Sequence, residues 1–176
     1  GGYVTFHFDH RVRNLEGNDL IIKGNAFNGN SEPGIVMVSV DANHNGKPDD
    51  EWYELRGSAD ADSVGKVVYG YSITYEPSPM ADIPWTDNRG SSGFVYRNSS
   101  HQQEYFPLWV HGPMTFTGTL LPRNGHQVSV GGGVRNWLLD SFAWGYVDNS
   151  GTDEGCSFDI SNAVDSQRRP VPLEAI

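Results

Sequence analysis

The chain has 176 residues, with 22 acidic against 12 basic side chains and a formal net charge of −10. Such a surface repels phosphate backbones, which argues against a nucleic-acid partner, and it suits divalent cations. With 21 Gly, 10 Pro and 12 % aromatic residues, the composition predicts short strands and many loops rather than helices.

No apolar run approaches the roughly 20 residues of a spanning helix, so the chain reads as not membrane-spanning. Cys156 is the only cysteine, which rules out an internal disulfide and suits a small buried residue. The chain opens at Gly1-Gly2-Tyr3 and stops at Leu173-Glu174-Ala175-Ile176, as if cut within strands. It therefore reads as one domain over 1–176 of a longer protein, with any targeting signal outside it.

In chain order, Tyr3–Phe8 alternates large apolar and polar residues and predicts a strand. Asp19–Lys23 predicts a second. Ile35–Val40, IVMVSV, is the strongest strand pattern and runs straight into an acidic loop, from which Trp52–Leu55 returns. Val67–Tyr75 is another strand, with tyrosines at alternating positions. Residues 76–93 contain Pro77, Pro79, Pro84, Gly90 and Gly93 and predict a long loop. Phe94–Tyr96, Tyr105–Val110, Thr115–Leu121 and Gln127–Val130 follow as strand candidates, the last before a Gly131–Gly133 turn. Phe142–Val147 and Ser157–Ile160 close the series, and Ser161–Val164 suits a single helical turn. About nine or ten short strands with turns between them predict an antiparallel β-sandwich or barrel.

The acidic loop is Asp41–Glu51, DANHNGKPDDE. Ca²⁺ is a hard ion that takes roughly 6–8 oxygen ligands in a flexible cage. Asp41, Asn43, Asn45 and Asp49 supply oxygens at ordered spacing, and Asp50 and Glu51 follow. Gly46 permits a sharp turn, and a backbone carbonyl near Lys47 adds a ligand. The EF-hand pattern fits only in part, because Trp52 stands where a bidentate Glu belongs and Pro48 and the flanking strands exclude helix–loop–helix. The spacing D-x-N-x-N-G-x-x-D looks instead like the calcium loops that join β-strands in extracellular β-proteins. The bland alternative is an Asn/Gly/Pro/Asp turn that solvates a hairpin.

A second oxygen-rich cation site is expected from Asp148, Asp159 and Asp165, joined by Glu32. Against it, Asp148 is an ordinary turn residue and Asp159 an N-cap for the turn at Ser161–Val164. For a ligand, Trp85 stands out, because the Pro-rich loop around it also carries Asp87, Asn88 and Arg89, which suits stacking and hydrogen bonding to a sugar. Trp109 and Trp144 lie within strand patterns and read as core first. Nucleotide and hydrolase signatures are missing, and with 22 acids a pair of facing carboxylates means little. No catalytic residue is nominated.

The segments GNAFNGNSEPGIVMVSVDANHNGKPDDEWYEL, IPWTDNRGSSG, WGYVDN and FDISNAVD resemble a group of bacterial secreted or lipid-anchored cell-surface proteins. That group is common in gut-type Bacteroidetes and often linked to PKD-like domains. The resemblance spans nearly the whole chain. It implies a jelly-roll β-sandwich, similar to galactose-binding modules, displayed at the outer membrane. It carries Asn25, Glu32, Asp41, Asn43, Asn45, Asp49, Asp148 and Asp159 as family positions, and the family's last strand is missing from this chain. The expected function is an extracellular calcium-binding β-sandwich that binds carbohydrate. Capture of a corrinoid or another small nutrient for an uptake system is the second reading. A structural or adhesion spacer that meets other cell-surface proteins is the third, and a hydrolase the last.

Overall fold

The structure is a computed structural model that describes residues 2–61 and 65–176. Eleven strands are present among these residues: β1 Leu20–Ile21, β2 Met37–Ser39, β3 Trp52–Leu55, β4 Val68–Tyr75, β5 Ile83–Asp87, β6 Ser92–Val95, β7 Met114–Leu120, β8 Gly125–Gly131, β9 Val134–Leu139, β10 Ser157–Phe158 and β11 Ala163–Val164. Three single-turn 3₁₀ segments, Ser58–Asp60, Glu154–Cys156 and Ile160–Asn162, are the only helical pieces among them. Every strand pair is antiparallel. The protein is thus all-β with antiparallel sheets and a sandwich-like build, as the composition predicts. No helix among the described residues is long and apolar enough to cross a membrane.

The chain divides into two compact units. One is formed by Gly1–Val4 with Val67–Leu120, the other by Thr5–Lys66 with Leu121–Ile176.

The first unit is a four-stranded sheet in the order β6-β5-β4-β7. β-branched and aromatic residues along β4 fit this pleated surface, and Thr74 and Thr115 share a hydroxyl hydrogen bond of 2.8 Å across the β4–β7 rung. The long loop expected over 76–93 instead contains β5 and the start of β6. Pro84 is tolerated because the β4 ladder stops at Tyr75–Trp85, so no rung to β4 needs its missing N–H. Tyr105–Val110 is not a strand. Pro107 interrupts it, and the Val110 N–H closes a turn on the Pro107 carbonyl at 3.0 Å. Tyr3–Phe8 joins no strand either. Its alternation has no partner ladder among the described residues, and Tyr3, Val4 and Phe6 stay exposed.

The second unit carries three small sheets: β1-β10, β11-β3-β2 and the β8-β9 ribbon. The first two share one apolar cluster of Val36, Val38, Leu55, Phe158 and Ala163, against which Leu20, Ile22, Tyr53 and Val147 pack. Val38 and Leu55 point inward because they sit on the core side of the pleat, whereas Met37 on the opposite side is exposed. β9 was not expected from sequence. It pairs with β8 across a turn where Gly131, Gly132 and Gly133 all have positive φ, a conformation only glycine adopts readily. Phe142–Val147, expected as a strand, is irregular, with Gly145 at φ 90 and Asp148 at φ 54. Ser161–Val164 begins with the expected helical turn, shifted to Ile160–Asn162, and ends as β11.

A half-buried ion cluster fixes the C-terminal part of this unit. Arg168 donates from Nη1 to Glu54 on β3 at 2.7 Å and from Nη2 to Asp60. Removing the guanidinium would take a close counter-charge from two carboxylates that are each largely shielded from water. Arg168→Ala is therefore expected to lower stability by about 2–4 kcal/mol in chemical denaturation, whereas Arg169→Ala, at an exposed pair, is expected to cost about 1 kcal/mol or less.

Candidate metal centre

The Asp41–Glu51 loop joins β2 to β3, two neighbouring antiparallel strands. Its ends are therefore held close together, and the intervening residues have to turn within a short span. Asp41 drives the turn. Its Oδ1 accepts the Asn45 N–H and its Oδ2 the Gly46 N–H, both at 3.0 Å. Asn43 Oδ1 accepts the same Asn45 N–H at 3.0 Å, and Asn45 Oδ1 accepts the Lys47 N–H at 2.8 Å. His44 and Gly46 take positive φ, 57 and 69. Gly46 is open on its Cβ side, so glycine serves backbone conformation there and not close packing.

Asp49 closes the ring. The Asn43 amide nitrogen lies 3.2 Å from its Oδ1, and the Asn45 amide nitrogen lies 3.1 Å from each of its oxygens. Asn43, Asn45 and Asp49 thus meet through their side chains, and Asp41 joins them through the Asn45 and Gly46 N–H groups. Asp50 adds an acceptor whose demand is unmet. Its Oδ2 is buried and has no hydrogen-bond partner among the described residues, a costly state for a carboxylate oxygen. The donor set, hard oxygens from two aspartates and two amides in a short loop, fits Ca²⁺ chemically.

Other expected ligands lie apart from this ring. Glu51 is directed along β3, where its Oε2 accepts the Tyr53 hydroxyl at 2.9 Å and its carbonyl the Ser39 hydroxyl at 2.8 Å. Lys47 contributes its N–H to the Asn45 turn and leaves its carbonyl for any ion. Only two carboxylates belong to the ring, and among the described residues no three Asp, Glu, His or Cys side chains gather into a cluster fit for a metal. The loop reaches four oxygen-bearing side chains only by counting its amides.

The proposed second site is not assembled. Asp148 Oδ1 accepts the N–H groups of Asn25 and Ala26, both at 2.8 Å. The Asn25 amide nitrogen, turned inward, reaches both Asp148 oxygens at 3.3 Å. Glu32 meets Asp148 only through backbone, its N–H on the Asp148 carbonyl at 3.0 Å. Asp159 caps the turn at Ile160–Asn162 by accepting the Ser161 N–H at 2.7 Å. Asp165 is engaged by the N–H groups of Gln167 and Arg169 and by the Arg169 guanidinium at 2.6 Å. Each of these carboxylates serves a separate local purpose.

The Trp85 group also lies in a different setting from the exposed loop expected. Trp85 is in β5, half-buried, with its ring against Gly93, where a Cβ would come within 2.7 Å of Cζ2. Asp87 and Asn88 build the β5–β6 turn. Asp87 Oδ1 accepts the N–H groups of Arg89 at 2.9 Å and Ser91 at 2.7 Å. Asn88 bonds back to β4 through the Ser72 N–H and the Gly70 carbonyl. The tryptophans that face solvent are others: Trp109 at 81 % exposure, Trp137 and Trp144. This corrects the core assignment of Trp109 and Trp144, since alternation places a residue on a face without saying whether that face is covered.

No protein-family model matches this chain, and no curated protein does.

Two of these carboxylates titrate low. For Asp87, burial pushes the pKa up, but the N–H groups of Ser91 and Arg89 and the Tyr71 hydroxyl outweigh it, and the net shift is downward from 3.8. For Asp165 the Arg169 N–H lowers it most, followed by the Arg169 side chain. A depressed native pKa gives stability that is present above the unfolded value and lost as pH falls through the native one. Both titration midpoints are thus expected below 3.8 in carboxyl-carbon NMR, with their share of stability intact down to that pH and lost only beneath it. Midpoints at or above 3.8 would contradict the turn geometry described.

Proposed function

We propose that this chain is an extracellular, calcium-stabilised β-domain of a bacterial cell-surface protein, and that it binds a carbohydrate. The observation that carries the calcium reading is the approach of the Asn43 and Asn45 amides to Asp49 within a loop that the Asp41 carboxylate folds on itself. The Asn43 and Asn45 amide nitrogens lie against Asp49. Rotating each amide about its terminal bond brings an oxygen in place of nitrogen, and gives up the bonds that Asn43 Oδ1 and Asn45 Oδ1 accept from the Asn45 and Lys47 N–H groups, a loss that ion binding has to offset. The loop is then a cage of two charges and two neutral amides.

Charge count sets affinity in such sites. With only two carboxylates, the dissociation constant belongs near 10⁻⁴–10⁻³ M by order of magnitude, the range of extracellular modules rather than of intracellular sensors. An ion bound this weakly is retained only where free calcium is high, which agrees with display outside the cell. It also agrees with the surface-protein group that the motifs resemble, described as secreted or lipid-anchored.

The carbohydrate reading rests on solvent-facing tryptophans next to amides and carboxylates. It differs from the corrinoid reading in the ligand that quenches tryptophan fluorescence, and from a spacer in whether any ligand does.

Calcium at tenfold over its dissociation constant is expected to add about 1.4 kcal/mol. For a chain of this size that raises the melting temperature by about 3–6 °C. EDTA should reverse the gain, and Mg²⁺, which resists large flexible cages, should restore it less well. Asp41→Ala and Asp49→Ala should each remove the response. A melting temperature indifferent to calcium in the wild type would leave the loop as a turn and nothing more.

A further inference from the structure

The second unit contains a half-open cleft of about 780 Å³, lined among others by Trp144, Arg56, Asn18, Asn162, Asp159 and Glu154. We infer that this cleft is the saccharide-binding site, with the Trp144 indole as the stacking platform. The inference rests on the carbohydrate reading above and gives it a place.

The cleft wall is built to hold the indole still. Asn149 is fully buried and ties the ends of the 142–149 segment together. Its Oδ1 accepts the Phe142 N–H at 2.7 Å, and its Nδ2 donates to the Phe142 carbonyl at 2.8 Å. Its carbonyl takes the Ser31 hydroxyl at 2.8 Å. Tyr146, also buried, accepts the Ala59 N–H on its hydroxyl at 3.2 Å, and its ring stacks at a tilt on Phe142. Trp144 itself is clamped through its backbone. Its carbonyl accepts the Ser58 N–H at 3.0 Å, and its N–H bonds Ser58 Oγ at 3.3 Å. Gly145 brings the two segments into contact. It has φ 90, and a Cβ there would lie 2.5 Å from Gly57 Cα. Trp144 is nevertheless 45 % exposed. A large apolar ring on a backbone fixed in this way and left open is a costly arrangement in water, and it offers a face to a flat ligand.

The polar groups around it are unspent. The Trp144 indole N–H and the side chains of Asn18, Asn162 and Glu154 have no hydrogen-bond partner among the described residues. Asp159 uses Oδ1 for its cap and keeps Oδ2. Arg56 bonds Asp60 through Nε at 3.4 Å and lines the cleft. Donors and acceptors are therefore mixed, and carboxylates outnumber the one guanidinium. That mixture disfavours phosphate-bearing ligands, and its polarity disfavours a lipid. A pyranose fits, because one face of its ring is C–H and its rim alternates donors and acceptors. The Trp85 group lacks these properties, since its polar atoms close a hairpin.

The test uses the full chain, calcium-loaded, titrated with cellotetraose, xylotetraose, mannotetraose, galactotetraose and tetra-N-acetylchitotetraose by calorimetry and tryptophan fluorescence. At least one is expected to bind. Trp144→Ala and Arg56→Ala should then each weaken that sugar by about tenfold or more, while Trp144→Phe keeps most of the affinity and Trp85→Phe is neutral. Melting curves check that each variant is folded, and the ligand-induced fluorescence change should vanish in Trp144→Phe. Binding retained in folded Trp144→Ala would overturn the placement and leave the carbohydrate reading standing. Binding by none of the five sugars would overturn both, whatever calcium does to the melting temperature.

Discussion

A backbone N–H or carbonyl removed from water has to find a partner, and short strands leave many of them without one. In this protein side-chain carboxylates and amides supply the missing partners. Asp41, Asp87, Asp148, Asp159 and Asp165 each accept at least one backbone N–H near a turn. Asn149 does the same from a fully buried position. Part of the acidic excess visible in the composition thus serves the backbone without any ligand. The Asp41–Asp49 ring differs because its side chains also meet one another, and because Asp50 keeps an oxygen that the protein leaves bare.

The strands legible in the sequence were those whose aromatic or branched apolar residues run without Gly or Pro at their ends or stand at alternate positions. Met37–Ser39, Trp52–Leu55 and Val68–Tyr75 fall where the pattern places them. Those missed were masked by punctuation. Pro84 and Gly93 read as loop residues, yet one sits just past the end of a ladder and the other makes room for the Trp85 ring. Phe142–Val147 failed in the opposite sense. Its aromatic residues read as a strand, but Gly145 turns the backbone and Asn149 closes the segment on itself.

Sites divide by the same logic. The Asp41–Asp49 ring is local, so ordered spacing within one loop reveals it. The Trp144 cleft joins Asn18, Arg56, Trp144 and Asp159, residues far apart in sequence, and no spacing rule can announce that. Trp85 attracted attention because polar neighbours surround it in the chain. In the fold those neighbours, Asp87 and Asn88, are bound to Arg89, Ser91, Ser72 and Gly70. A polar residue beside an aromatic one is informative only when its own hydrogen-bonding capacity is still available.

The ladder partners of the second unit come from opposite ends of the chain. Leu20 pairs with Phe158, and Leu55 with Ala163. The stretch between them holds the β4–β7 sheet, whose first and last strands meet at Val68–Leu120. Closing a loop of more than a hundred residues is entropically slow, whereas hairpins within 68–120 form from neighbours. Once Val68 and Leu120 are side by side, the distance left to search is cut by about half. The connectivity thus makes the ladders at Leu20–Phe158 and Leu55–Ala163 the ones with most entropy to lose, and the ladder at Val68–Leu120 a bridge that shortens their search.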